Sequence, residues 1–150
     1  MGLTRMKCLP SALGALLVSS AALGQQLPRD ITGNVSVPVV GVFSGANTAS
    51  ASATLPAAVG KLTYVCGFTI SGLGATGLTT VVATIATLTG GVTSSISYVY
   101  PAGATVATTP IIIQLALCIP ANALNTSLVL TVPGAAGNTA TQITISGYQL

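Results

Sequence analysis

The chain has 150 residues, of which 51% are hydrophobic and only 3% charged, with no histidine and a single acidic residue. This composition excludes intrinsic disorder, because disordered chains are poor in apolar residues and rich in charge. It also removes most groups for general acid–base catalysis and metal ligation. We therefore predict that the protein is not an enzyme, with no catalytic residues, no cofactor and no metal site.

The N-terminal residues have the pattern of a secretory signal peptide. Arg5 and Lys7 form a positive region, residues 9–18 are mostly apolar, and small residues precede Gln25. A transmembrane helix is the alternative, but the apolar stretch is shorter than the roughly 20 residues that span a bilayer. We predict that residues 1–24 are cleaved and that the protein is exported to the periplasm, the extracellular space or the cell surface.

The remaining chain is predicted to contain an N-terminal arm, residues 25–34, and one domain, residues 35–150. Its charged side chains are Arg29, Asp30 and Lys61. Binding to nucleic acid or to an anionic membrane surface needs clustered Lys and Arg, which this sequence lacks. We therefore predict no nucleic-acid partner, and no membrane span once the signal peptide is removed.

Runs of Val, Ile, Thr, Leu and Tyr bounded by Gly, Pro, Asn and Ser recur along this domain, a pattern typical of an all-β sandwich or barrel. The predicted strands in chain order are 35–43, 48–54, 61–72, 79–88, 93–100, 110–120, 127–132 and 141–149. Eight antiparallel strands in one domain favour a single β-sandwich of jelly-roll or Greek-key type.

Alternation in strand 61–72 predicts which side chains enter the core. One face is the more apolar and carries Leu62, Tyr64, Cys66, Phe68 and Ile70. The other face carries Thr63, Val65, Gly67, Thr69 and Ser71. We expect the first set to be buried, and we expect Thr63 and Thr69 to point outward. Strand 110–120 is apolar on both faces, which predicts that both are covered.

Two cysteines remain after cleavage, Cys66 and Cys118. In an exported protein they favour one disulfide, which would stabilise the fold by about 4 kcal/mol, and two buried thiols are the alternative. The predicted faces do not match, because Cys118 shares a face with Gln114 whereas Cys66 lies on the apolar face. A β-bulge or a bond between sheet edges would reconcile them.

Two other features bear on ligand binding. Tyr98 and Tyr100 share one face of their strand and are the candidate ligand face, as an aromatic platform for a glycan; the alternative is that they cover the core with their hydroxyls at the rim. Residues 72–77 match G-x-G-x-x-G, but a β-branched run follows and no acidic residue does. We predict a loop there and no nucleotide site.

Residues 61–77 and 118–150 resemble a group of small uncharacterised exported bacterial or phage-associated β-sandwich proteins. The resemblance implies a jelly-roll-like fold and transfers no functional residue. The signal peptide, single disulfide and C-terminal strand with Tyr148 are also loosely similar to chaperone-assembled pilins. This chain differs from pilins because Tyr148 is third from the end and the cysteines are far apart.

The low charge content also predicts association. Charged residues commonly block exposed strand edges, and the mature chain has almost none. The expected function is an exported structural or surface protein that associates with itself, as a homo-oligomer or polymer, or attaches to an envelope or virion assembly. The alternative is a small glycan- or ligand-binding sandwich module.

Overall fold

The computed structural model describes residues 36–45 and 48–150, so the predicted signal peptide and arm lie outside the described residues. All eight predicted strands are confirmed, with bounds within two residues of those expected. The strands are β1 Val37–Gly45, β2 Ser50–Leu55, β3 Thr63–Gly72, β4 Thr79–Leu88, β5 Val92–Tyr100, β6 Ile111–Pro120, β7 Leu128–Pro133 and β8 Thr141–Gln149. A short 3₁₀ turn, Thr89–Gly91, joins β4 to β5.

The strands form two four-stranded sheets. Sheet I has the order β1-β8-β3-β6, and sheet II has the order β2-β7-β4-β5. The first strand pairs with the eighth, the second with the seventh, the third with the sixth and the fourth with the fifth, all antiparallel. This nesting of the two halves of the chain is the jelly-roll arrangement, so the predicted all-β sandwich is confirmed.

The core lies between the sheets, because alternate residues of each strand point inward. Sheet II shows the alternation most clearly. Every second residue of β2 and β7 is buried: Ala51, Ala53, Leu55, Leu128, Leu130 and Val132. Sheet I contributes buried side chains from β3 and β8: Val65, Phe68, Ile70, Ile143 and Ile145.

A β-bulge interrupts the alternation of β3. Its pairing with both neighbouring strands shifts register between Val65 and Gly67. The extra residue puts Val65 and Phe68 on the same, inner face, and it puts Tyr64 on the outer face. The prediction that Tyr64 and Cys66 are buried with Phe68 was therefore wrong, since Tyr64 and Cys66 are only partly buried.

The bulge also reverses the expectation for Thr63. Its side chain is fully buried, at 0% exposure, and its hydroxyl donates a hydrogen bond to the Pro56 carbonyl at 3.3 Å. Because Thr63 precedes the bulge, it shares the inner face with Val65. Thr69, which follows the bulge, is partly exposed on the outer face, as predicted.

The two long edges of the sandwich differ. At one edge β1 and β2 approach closely: a Cβ atom added at Gly41 would lie 2.6 Å from the backbone carbonyl carbon of Thr54. At the other, the terminal strands β5 and β6 are separated by an apolar cavity that is lined by residues of both strands. We call this second edge, formed by β5 and β6, the open edge.

The position of β6 contradicts the expectation of a strand covered on both faces. It is the last strand of sheet I, and two of its large apolar side chains are exposed, Ile112 at 67% and Leu117 at 84%. Its inner residues, such as Ile113, pack against the core. The apolar composition of a strand does not show whether its faces are covered by the same chain or by another molecule.

Candidate functional site

A disulfide joins Cys66 and Cys118 on the neighbouring strands β3 and β6, with a Cα–Cα distance of 4.2 Å. Between the pairs Val65–Ile119 and Gly67–Gln114, β6 contributes residues 115–118 where β3 contributes Cys66 alone. Because pairing is irregular on both strands here, Cys66 and Cys118 can face each other although regular alternation put them on different faces. The predicted disulfide is therefore confirmed. A disulfide fits an oxidising compartment.

The predicted ligand tyrosines lie in the core. Tyr98 is 1% exposed and Tyr100 is 0% exposed, and their rings meet edge to face with centroids 4.9 Å apart. The Tyr98 hydroxyl donates to Thr108 Oγ1 at 2.8 Å, and the Tyr100 hydroxyl donates to the Pro133 carbonyl at 3.3 Å. The two rings cover the core and present no aromatic platform to solvent.

The aromatic pair on the outer surface is Tyr64 and Tyr148. These residues are opposite each other in the β3–β8 register, and their rings stack with centroids 4.7 Å apart at 15°. Pro38 and Pro120 flank the pair on the adjoining strands. Sequence alternation missed Tyr64 because it could not locate the bulge, whereas Tyr148 follows the polar outer positions of β8.

Burial gives Tyr98 a measurable role in alkaline stability. Loss of hydration raises the pKa of Tyr98 above its ordinary value of 10.0, and the hydrogen bond with Thr108 partly offsets this. Above pH 10 the unfolded chain therefore loses this proton more readily than the folded protein does. The stabilisation is complete below the unfolded pKa and is lost as pH rises through the folded pKa.

We accordingly expect the free energy of unfolding to fall above pH 10.0, and to fall less steeply in Tyr98→Phe. At neutral pH the variant should lose about 1 kcal/mol with the hydrogen bond. Denaturant titrations at neutral pH and at several pH values above 10.0 would measure both effects. Equal pH slopes in the variant and the unsubstituted protein would contradict the assignment.

An apolar cavity of about 130 Å³ lies between the sheets and opens to solvent along the open edge. Its walls come from β3, β4, β5 and β6, and its polar lining residues are Ser94 and Ser95. Phe68 and Ile85 are among its buried walls. A second groove, of about 290 Å³, lies further along the same side beside Val99 and Ile111.

The surface around the open edge is almost uncharged. Lys61 is the sole Lys, Arg, Asp or Glu within residues 36–45 and 48–150. Hydroxyl side chains occupy many outer positions, and paired residues of sheet II form a row: Ser52, Thr131, Thr84 and Ser95. Such a surface creates little electrostatic repulsion between copies.

Residues 36–45 and 48–150 contain no group of three or more His, Cys, Asp or Glu that could hold a metal ion. Gly72 ends β3, residues 73–78 connect β3 to β4, and a strand follows, so the predicted loop is confirmed after Gly72. Over the same ranges, no helix has the length and apolar character needed to cross a membrane.

Comparisons with protein-family models, curated proteins and solved structures found no match.

Proposed function

We propose that this chain is an exported, non-enzymatic structural or surface protein that associates with copies of itself or with an envelope or virion assembly. The observation that carries the proposal is the open edge, where apolar side chains of β6 meet solvent beside an apolar cavity. Jelly rolls occur in viral capsid and lectin domains, but the fold alone does not choose between them.

The first part of the edge strand β6 lacks the usual protection against pairing with another chain. Natural proteins block such edges with charges, prolines, β-bulges or covering segments. From Ile111 to Gln114, β6 has no charged residue and no proline, and its pairing with β3 is regular. Its outer backbone groups and the exposed Ile112 and Leu117 are therefore suited to contact with another chain.

The apolar outer face of β6 supports the same proposal. The sequence has the composition of a strand covered on both faces, whereas the described chain covers only the inner face. A second copy that meets the open edge and overlaps this face would supply the missing cover. Export is supported by the signal-like pattern of residues 1–24 and by the Cys66–Cys118 bond.

Binding of a glycan or other ligand is the second candidate function. The observation that favours it is the stacked pair Tyr64 and Tyr148, which is partly exposed on the outer face of sheet I. Aromatic rings with an exposed polar tip are frequent in binding surfaces. Neither Tyr98 nor Tyr100 supports this candidate, since both are buried.

Sedimentation velocity of the exported protein, at low and high salt and up to high micromolar concentration, tests the proposal. We expect species larger than a monomer whose abundance rises with protein concentration and changes little with salt, because there are few charges to screen. A monomer at every concentration would reject self-association and make ligand binding the better hypothesis. Dissociation at high salt would contradict the apolar mechanism.

A further inference from the structure

Leu117 protrudes from the open edge. It is 84% exposed and lies within residues 115–118, the segment of β6 that bulges opposite Cys66. The neighbouring Cys118 is bonded to Cys66, which anchors one end of this segment to β3. A backbone segment that is anchored before binding loses less conformational entropy when its side chain enters a partner.

The open-edge cavity lies on the same strand as this side chain. Leu115 and Ile119, on either side of Leu117, line the cavity, whereas Leu117 does not. A cavity of about 150 Å³ lined by Leu, Ile and Phe binds benzene, which has six carbons. The present cavity, of about 130 Å³, is therefore large enough for the four-carbon side chain of one leucine.

We infer that two copies of this chain meet along their open edges, with Leu117 of each copy seated in the open-edge cavity of the other. This inference rests on the proposed self-association and specifies its contact. Because the protruding side chain and the cavity belong to the same edge, a two-fold axis lets both cavities be filled at once. The single charged side chain of the described chain, Lys61, gives no cluster of like charges to oppose the contact.

Three variants test the contact by sedimentation equilibrium. Leu117→Ser removes the protruding side chain, and Ser94→Phe places a ring in the cavity from its own wall. Leu124→Ser is the matched control, since Leu124 is also exposed, at 55%, but lies in the loop after β6. All three are compared with the unsubstituted protein, and a denaturant titration checks that each is folded.

We expect Leu117→Ser to raise the dimer dissociation constant by about 100-fold or more, because each dimer buries two of these leucines. Ser94→Phe should weaken the dimer by a similar factor, and Leu124→Ser should leave it nearly unchanged. Unchanged association of Leu117→Ser would overturn the inference while leaving self-association intact. A cavity filled by residues 25–34 of the same chain, or by a small apolar ligand, would give that result.

Two further outcomes are decisive. If Leu117→Ser weakens the dimer but a folded Ser94→Phe does not, Leu117 acts outside the cavity and the inference fails. If the unsubstituted protein is monomeric at high micromolar concentration, the proposed self-association fails together with the inference.

Discussion

Replacing both Cys66 and Cys118 with alanine is expected to lower the free energy of unfolding by about 4 kcal/mol. The cysteines are 52 residues apart in the chain, so their bond closes a long loop and restricts the unfolded state. The bond also joins edge strand β6 to β3 at the point where regular pairing is interrupted. Urea denaturation of the double variant would measure the loss.

The natural protein treated with reductant is the appropriate comparison, because it loses the bond without losing the cysteine side chains. Its free energy of unfolding should fall by a similar amount. A loss below about 1 kcal/mol in both samples would contradict a stabilising role for this bond.

Gly41→Val is expected to lower the free energy of unfolding by about 3 kcal/mol. At this position β1 passes against the backbone of β2, and an added Cβ atom would lie 2.6 Å from the carbonyl carbon of Thr54 and 2.8 Å from its nitrogen. Backbone atoms cannot move aside as a flexible side chain can. The valine should therefore separate β1 from β2 at this edge of the sandwich.

Gly45→Val is the matched control on the same strand. The nearest atom to an added Cβ there is in the Phe43 ring, 3.6 Å away, which is ordinary van der Waals contact. Thermal or chemical denaturation should show a small change for this variant. Equal losses in the two variants would show that β1 tolerates side chains poorly in general and that closure of this edge is not responsible.

The strands could be predicted from the sequence because their signals are local. Runs of β-branched residues end at Gly, Pro, Asn or Ser, and these residues limit each strand whatever it pairs with. The faces of β3 were less predictable. The bulge at Cys66 depends on how β3 pairs with β6 and β8, and a shift of one residue exchanges the faces.

The candidate site was predicted only in part. The disulfide followed from cysteine number and predicted compartment, but the accessible tyrosines did not follow from alternation. Tyr98 and Tyr100 lie on the inner face of β5, and strand patterning alone cannot say which face of an edge strand meets the core. The open edge could not be predicted from the sequence either, because it depends on the order of strands in both sheets.

Amide hydrogen exchange of the unsubstituted protein, compared between dilute and concentrated solutions, tests most directly the claim that copies meet along the open edge. We predict slower exchange in the concentrated sample for backbone amides of β6 and of the adjoining β5, because these edges become covered by a partner. Exchange in the central strand β7 should not depend on concentration. Exchange that is independent of concentration throughout, or slowed only at β1, would contradict the claim.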